Sequence, residues 1–168
     1  MKLVEFSVTN YRSITKAHKI SLQNLTVLVG KNNEGKSNFL TALNIAMQGM
    51  IYYARTKRII SLRRMEFYKW ERDFPVQFRE RKGGLESIFR LNFCLENEEA
   101  TEFTHATGIR SNEAIPIEIK IGKDNEVKIS VPKKGSSSYT RKAAQVTSFI
   151  CERISFNYIQ AVRTEEMA

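Results

Sequence analysis

The chain has 168 residues, of which 42% are apolar and 27% charged, and this composition predicts one ordinary globular domain with a hydrophobic core. No apolar run approaches the roughly 20 residues of a membrane-spanning helix, and the N-terminus alternates where a signal peptide needs an apolar block. These features argue against a membrane or secreted protein and favour a cytoplasmic one. The net charge of +9 allows a polyanionic partner. The cysteines, Cys94 and Cys151, lack metal-type spacing and are expected to be small buried hydrophobes in reducing surroundings.

The N-terminal residues predict two short strands joined by a turn. Residues 3–9 alternate between polar and apolar side chains, which is typical of a half-buried β-strand. Residues 10–13 (Asn-Tyr-Arg-Ser) break this alternation and indicate a turn. Residues 18–22 predict the second strand.

The stretch from residue 25 to residue 47 matches a phosphate-binding loop in its expected surroundings. Residues 30–37 (Gly-Lys-Asn-Asn-Glu-Gly-Lys-Ser) fit the pattern G-x-x-x-x-G-K-[ST]. The apolar residues 25–29 predict a strand before the loop, and residues 38–47 predict a helix after it. Strand, glycine-containing loop and helix is the arrangement that such a motif requires, so a chance match in a polar turn is the weaker alternative.

Each fixed position of this loop has a physical role in holding phosphate. Gly30 and Gly35 permit backbone angles and a close approach that a side chain would block. The helix that begins near Gly35 directs its free N–H groups and the positive end of its dipole at the phosphates. Lys36 is expected to reach the β- and γ-phosphates, and the Ser37 hydroxyl is expected to bind Mg²⁺. The motif predicts nucleotide binding, but it does not separate ATP from GTP or hydrolysis from binding.

Residues 55–82 form a basic stretch with interspersed aromatic residues. They contain ten Lys or Arg and four Asp or Glu, a net charge of +6. Basic and aromatic residues together suit phosphate contacts and base stacking in DNA. The alternative is a solvated basic face or a surface for a protein partner. The candidates for DNA contact are Arg55, Lys57, Arg58, Arg63, Arg64 and Lys69.

The second half of the chain predicts antiparallel strands followed by a helix. Alternation predicts strands at residues 87–95, 115–121 and 126–131, and the last two form a hairpin. Residues 139–154 have helical periodicity, and residues 156–159 predict a short final strand. The expected organisation is a nucleotide-binding core at residues 1–54, a basic insertion at 55–84, an antiparallel β-subdomain at 85–138, and a helix and strand at 139–168.

Three stretches together resemble the N-terminal half of an ABC-type ATPase head of the RecF, SMC and OLD kind: residues 8–14, 25–43 and 158–163. The third stretch, with Asp-Phe-Pro at residues 73–75, is most similar to OLD-type ATPases, the overcoming-lysogenization nucleases and their anti-phage relatives. The resemblance implies an α/β P-loop NTPase fold, namely the N-terminal lobe of the head, with a mixed sheet plus an antiparallel β-subdomain. It also implies ATP and Mg²⁺ as cofactors. ATP hydrolysis would then drive a DNA-directed process such as repair or, with a nuclease, anti-phage defence.

The resemblance also assigns residues to the nucleotide site. Arg12 and Ser13 would lie beside the nucleotide, and Gln160 would match the Q-loop glutamine that helps to hold Mg²⁺ and the attacking water. Lys36 and Gln160 are thus the expected catalytic residues, and Ser37 and Gln160 the expected metal ligands. For Arg12 and Gln160 the alternative is an ordinary solvated turn residue, and related strands often have proline in place of Gln160. The remaining expected nucleotide contacts are Asn32, Asn33 and Glu34 in the loop, and Asn38 and Thr41 near the base.

Several parts of a complete ATPase head are missing from the 168 residues. The sequence has no Walker B aspartate, catalytic glutamate, Leu-Ser-Gly-Gly signature or switch histidine, and His18 and His105 are best explained as surface residues. In the family that the chain resembles, those parts follow a long insertion. The chain is therefore expected to belong to a longer protein or to be completed by another chain, for example in a homodimer of heads. Two other functions stay open: a DNA-binding module gated by nucleotide, and an interaction protein with a relic loop.

Overall fold

A computed structural model describes residues 1–16, 19–31, 35–56, 60–61, 67–110, 114–132 and 138–159. Its strands are β1 (Lys2–Thr9), β2 (Ile20–Ser21), β3 (Ile60–Ser61), β4 (Ser87–Cys94), β5 (Ile115–Ile121) and β6 (Glu126–Ser130). Its helices are α1 (Lys36–Thr56), α2 (Trp70–Asp73), α3 (Asn97–Thr107), α4 (Ser138–Arg141) and α5 (Ala143–Cys151). A 3-10 turn covers Val76–Phe78.

The strands form one six-stranded sheet in the order β2-β1-β4-β5-β6-β3, and every pairing among the described residues is antiparallel. Near its centre, β4 pairs with β1 from Lys2↔Cys94 to Thr9↔Ile88 and with β5 on its other side. The α/β class agrees with the prediction, but the sheet differs from it in detail. The expected mixed sheet and separate antiparallel subdomain are one antiparallel sheet in the described residues, because β1 pairs directly with β4.

The central strands bury one face and expose the other, as their alternating sequences predict. In β4, Phe89, Leu91 and Phe93 are fully buried, whereas Arg90 on the opposite face is exposed. Arg90 there forms an ion pair with Glu118 of β5, at 2.7 Å between Nε and Oε2. The buried face carries the apolar side chains against which the helices pack, and the opposite face is polar and partly solvated.

The long helix α1 lies on the apolar face of the sheet. It packs against β1, β4, β5 and β6 and against α5. The predicted helix at residues 38–47 is confirmed, and it starts at Lys36 and continues to Thr56. Its buried side chains recur at helical spacing, as expected for one apolar stripe: Phe39, Ala42, Ile45, Ala46, Met47, Met50 and Ala54. No helix in the described ranges is both long and apolar enough to cross a lipid bilayer.

The sequence predicts most strand positions correctly and two of them wrongly. The confirmed strands are those predicted at residues 3–9, 87–95, 115–121 and 126–131. The strand predicted at residues 18–22 is confirmed at Ile20–Ser21, and residue 18 lies outside the described residues. The strand predicted at residues 25–29 before the phosphate-binding loop is absent, and Leu25, Val27 and Val29 are 81%, 70% and 89% exposed. The final strand predicted at residues 156–159 is absent as well. A strand needs a neighbouring backbone, and these two segments pair with none of the described strands.

The segment that contains α2 is part of the core. Tyr68, Trp70 and Phe74 are buried, and the Trp70 ring stacks on Phe74 with 5.0 Å between ring centroids. The Trp70 indole N–H donates to the carbonyl of Leu85 at 3.0 Å. Tyr68, Trp70 and Phe74 are therefore not available to stack on DNA bases, and the sequence interpretation is wrong for these three residues, whereas Phe67 of the same stretch is 39% exposed. The helix α2 ends at Asp73, as expected because the residue before a proline, here Phe74 before Pro75, is disfavoured in a helix.

The two cysteines lie in different surroundings. Cys94 is exposed on the outer face of β4, so the expectation of a buried side chain is wrong for this residue. Cys151, at the end of α5, is partly buried, and burial raises the pKa of its thiol to about 11. Both thiols are free, and the described residues contain no group of three or more His, Cys, Asp or Glu that could hold a metal ion.

Candidate functional site

The start of α1 requires glycine at position 35. The backbone of Gly35 has a φ of +88°, a conformation that L side chains rarely adopt. A Cβ atom placed on Gly35 would lie 3.4 Å from the Ser13 hydroxyl oxygen. The carbonyl of Gly35 accepts the first helical hydrogen bond, from the N–H of Phe39 at 2.8 Å. The glycine therefore allows the loop to enter α1 while the turn after β1 lies close against it.

Lys36 and the first turn of α1 form a positive site. The ammonium group of Lys36 donates to the carbonyls of Gly30 and Lys31, so it lies across the loop at the N-terminus of the helix. The first turn contains no acidic residue that would balance the positive end of the helix dipole. A positive side chain at the N-terminus of a helix opposes the helix dipole unless an anion is bound there. Lys36 and the free N–H groups of the first turn therefore fit the phosphates of a nucleotide.

The Ser37 hydroxyl is the group that fits a magnesium ion. Ser37 is exposed in the first turn of α1, and hard oxygen ligands are those that Mg²⁺ prefers. The carbonyl of Ser37 accepts a hydrogen bond from the Thr41 hydroxyl at 2.8 Å. The Thr41 hydroxyl is therefore hydrogen-bonded to the backbone of α1, one helical turn after the loop.

The turn after β1 brings two further predicted residues to the start of α1. Arg12 donates from Nη1 to the Asn38 side-chain oxygen at 3.3 Å, and the Asn38 amide donates to the Ser13 hydroxyl at 2.9 Å. Arg12, Ser13 and Asn38 thus form one hydrogen-bonded group beside Gly35 and Lys36. The sequence motif alone contains no signal for this contact, because 26 residues separate Arg12 from Asn38.

Asp73 belongs to the same group and was missed by the sequence analysis. Its side chain is fully buried and accepts a hydrogen bond from Arg12 Nε at 2.8 Å. Burial alone would raise the pKa of Asp73, but hydrogen bonds from Arg72, from the Lys69 amide and from Arg12 outweigh it and lower the pKa below its ordinary value. Asp73 is therefore ionised at neutral pH. The available signal was the Asp-Phe-Pro sequence, which contributed to the family resemblance but indicated no contact.

An apolar cavity of ≈ 230 Å³ adjoins the loop on the side of the sheet. Phosphate groups do not enter an apolar cavity without compensating charge. The nucleotide phosphates would therefore bind on the solvent side of the loop, where the Lys36 ammonium and the helix N–H groups are. The cavity is lined by Val8, Ile14, Ile20, Leu28, Val29, Gly35, Lys36 and Phe39.

Of the basic residues proposed for DNA contact, Arg55 and Lys69 lie in the part of the chain that the structure describes. Arg55 is exposed near the far end of α1, about 28 Å from Lys36 at about 1.5 Å per residue. Lys69 is exposed beside α2, and its backbone N–H donates to Asp73 at 2.9 Å. Lys57, Arg58, Arg63 and Arg64 lie outside the described residues, and so do the predicted site residues Asn32, Asn33, Glu34 and Gln160.

The fold and the loop define a P-loop ATPase, and the comparison with known families gives the family. The model of the AAA ATPase domain matches residues 1–165. This match spans nearly the whole chain, and the chain belongs to this AAA ATPase domain family. No curated protein matches the sequence.

Solved structures of SMC ATPases share the fold. One comes from work on the structural biochemistry of ATP-driven dimerization and DNA stimulated activation of SMC ATPases. It is 13% identical to this chain, the TM-score is 0.55, and the match covers 92% of this chain and 86% of that chain. Another, the SmcHead bound to the C-winged helix domain of ScpA, is 14% identical with a TM-score of 0.56. The match covers 91% of this chain and 41% of the SmcHead chain, so this chain spans less than half of the length of that protein. The shared fold is that of an ABC-type P-loop ATPase head.

Proposed function

We propose that this chain is the ATP-binding N-terminal part of an ABC-type ATPase head whose ATP hydrolysis drives a DNA-directed process. The observation that carries the proposal is the convergence of Arg12, Ser13 and Asn38 with Lys36 at the N-terminus of α1. These residues come from separate parts of the sequence and present positive charge and hydrogen-bond donors to one place. A nucleotide triphosphate, with its clustered negative charge, is the ligand that such an arrangement suits.

Each residue of the proposed site has a distinct task. Lys36 would exchange the carbonyls of Gly30 and Lys31 for the β- and γ-phosphates, and the free N–H groups of α1 would bind the same phosphates. Ser37 would hold Mg²⁺, which neutralises charge that develops on the phosphates during transfer. Arg12 and Ser13 would contact the nucleotide from the side of β1. The other proposed contacts, from the family resemblance, are Asn32, Asn33 and Glu34 in the loop, Asn38 and Thr41 near the base, and Gln160 at the metal and water.

We also propose that the active site is completed by another segment or chain. The 168 residues contain no Walker B aspartate and no catalytic glutamate to orient water. Leu25, Val27 and Val29 support this proposal, because three exposed apolar side chains next to the loop form a surface that a complementary strand would cover. The SMC structure named for ATP-driven dimerization offers a homodimer of heads as one way to complete the site.

The chain alone is expected to bind ATP–Mg²⁺ and to turn it over negligibly. The measurement is phosphate release at saturating ATP, over a tenfold range of protein concentration, with Lys36→Ala as the control. Turnover that depends on Lys36 and stays constant per molecule at every concentration would contradict the proposed incompleteness. Turnover per molecule that rises with protein concentration would identify a second copy as the complement.

DNA contact by residues 55–82 is the second candidate property, and the net charge of +6 favours it. Phosphate contacts support this proposal better than base stacking does, because Tyr68, Trp70 and Phe74 are buried and Phe67 is 39% exposed. The SMC structure whose description includes DNA stimulated activation gives a precedent in the fold. The specific role in anti-phage defence, with an OLD-type nuclease, rests on the sequence resemblance at residues 73–75 and 158–163.

Replacement of Arg63 and Arg64 by alanine is expected to weaken duplex DNA binding and to reduce the salt slope. Each lost phosphate contact lowers the slope of log K against log salt by about one, so the double variant should lose about two. Binding is measured by fluorescence anisotropy at several salt concentrations. The control is Lys120→Ala with Lys128→Ala, which removes the same charge from β5 and β6. Equal losses in both double variants would show that only net charge matters, and would count against a DNA surface at residues 55–82.

A further inference from the structure

The turn that carries Arg12 is held by Asp73, 61 positions further along the chain. Arg12 has a φ of +48°, in the left-handed region that costs free energy for a residue with a side chain. Such a conformation persists only where surrounding contacts fix it. Here the Arg12 N–H donates to the Asp73 carbonyl at 2.6 Å, so Asp73 stabilises the backbone of the turn as well as its side chain.

The carboxylate of Asp73 is fully buried and is bound by N–H donors on both oxygens. Oδ1 accepts from Arg12 Nε at 2.8 Å and from Arg72 Nε at 3.0 Å. Oδ2 accepts from Arg72 Nη2 at 2.7 Å and from the Lys69 N–H at 2.9 Å. A buried ionised carboxylate with this many donors has a fixed orientation, because any rotation would break a charge-assisted hydrogen bond. Asp73 is therefore a rigid anchor for the Arg12 guanidinium.

The other edge of the Arg12 guanidinium faces the nucleotide site. Its Nη1 donates to Asn38, which follows Lys36 and Ser37 in the first turns of α1. The Arg12 side chain is 32% exposed, and within the described part of the chain its side chain makes no hydrogen bond other than those to Asp73 and Asn38. Asp73 and Asn38 thus hold one rotamer of a long side chain, with its remaining N–H groups at the surface beside the loop.

We propose that Asp73 is a positioning residue of the nucleotide site, which acts by holding Arg12 in the orientation that contacts the phosphates of ATP. The proposal rests on the proposed nucleotide site. Its physical basis is preorganisation: an arginine already fixed in its bound rotamer loses less conformational entropy when the nucleotide binds. Removal of the carboxylate would free Arg12 to adopt many rotamers and would leave its guanidinium without a buried counter-charge.

A purely structural role for Asp73 would be to fasten α2 to the sheet, and a second set of contacts already does so. The Tyr68 hydroxyl and the Ser87 hydroxyl are 2.7 Å apart, and the Ser87 hydroxyl donates to the Asn10 carbonyl at 2.5 Å. Trp70 is also bound to Leu85. These contacts join the segment before Asp73 to β4 and to the turn, so the fold has support that does not depend on the carboxylate.

The test is a double-mutant cycle on ATP–Mg²⁺ affinity, with thermal unfolding measured in parallel. Arg12→Ala and Asp73→Asn are each expected to weaken binding about tenfold, the effect of one lost charge-assisted contact. Because Asp73 acts through Arg12, the double variant should bind no more weakly than Arg12→Ala. Wild-type affinity in Asp73→Asn, or a double variant weakened by the product of both single effects, would overturn the proposal.

The control is Glu118→Gln, which neutralises another largely buried carboxylate that is paired with an arginine, away from the loop on the outer face of β5. It should lower thermal stability and leave ATP affinity unchanged. If Asp73→Asn does not fold, Asp73→Glu replaces it, because this variant retains the charge but displaces Arg12. Its ATP affinity is measured alone and together with Arg12→Ala, and the same outcomes of the cycle support or overturn the proposal. If the wild-type chain does not bind ATP, the proposed function itself fails, whereas failure of the cycle alone removes only the role of Asp73.

Discussion

Replacement of Lys36 by alanine is expected to weaken ATP–Mg²⁺ binding by roughly 100-fold. The Lys36 ammonium is the side-chain charge placed directly across the loop at the start of α1, where the β- and γ-phosphates would bind. Its loss removes a charge-assisted contact to the most highly charged part of the nucleotide. The measurement is isothermal titration calorimetry with ATP and Mg²⁺.

The stability of this variant separates a lost contact from a lost fold. A positive side chain near the N-terminus of a helix opposes the helix dipole by about 0.3–1 kcal/mol, and alanine has a higher helix propensity than lysine. The Lys36→Ala variant should therefore unfold at a temperature close to that of the wild type. The matched control is Lys2→Ala, an exposed lysine at the opposite end of β1 from the turn. An equal loss of affinity in both variants, or an unchanged affinity in Lys36→Ala, would refute the proposed phosphate site.

Replacement of Phe89 by alanine is expected to lower the free energy of unfolding by about 3–5 kcal/mol. Phe89 is fully buried in β4, and its ring lies 5.9 Å from the ring of Tyr11 in the turn after β1. The substitution removes buried apolar area and leaves a cavity between the sheet and the helices, which the surrounding residues fill only in part. Urea unfolding followed by circular dichroism gives the difference in free energy.

Phe67→Ala is the matched control for this prediction, because it makes the same chemical change at a side chain that is 39% exposed. Its cost should be well below that of Phe89→Ala, since less apolar area leaves water and no closed cavity forms. Similar costs for the two variants would show that β4 is not at the centre of the core. The contrast tests the packing of the sheet independently of any ligand.

The strands and the long helix were predictable because their sequences report burial directly. Phe89, Leu91 and Phe93 alternate with polar residues on β4, and only one face of a sheet strand packs on helices. The buried side chains of α1 recur at helical spacing in the same way. In these elements the local pattern and the tertiary environment agree, so the period of the sequence was sufficient.

Residues 25–29 show where the pattern misleads. Leu25, Val27 and Val29 have the composition of a strand, but a strand exists only when another backbone binds its N–H and C=O groups. Among the described residues no such backbone lies beside them. Sequence periodicity reports the tendency of a segment to pair, and it contains no information about whether a partner is present.

The candidate site was predictable in its loop and not in its supporting contacts. Gly35, Lys36 and Ser37 follow from a local motif whose spacing is set by the geometry of phosphate binding. The contact from Asp73 to Arg12 joins residues 61 positions apart and has no local signature. The prediction that Trp70 stacks on DNA bases was wrong for a related reason. A tryptophan among lysines and arginines has the composition of a nucleic-acid surface, but tertiary packing buries this side chain.

The exposed side chains of Leu25, Val27 and Val29 have a practical consequence for handling the isolated domain. An exposed apolar segment that pairs with none of the described strands is a template for association between identical molecules. Concentrated preparations would then lose monomer to disordered aggregates at a rate set by this short segment, although the core of each molecule stays folded. Lysine or threonine in place of Val27 would be the first modification to make for crystallisation or spectroscopy, because Val27 is 70% exposed and does not line the cavity beside the loop.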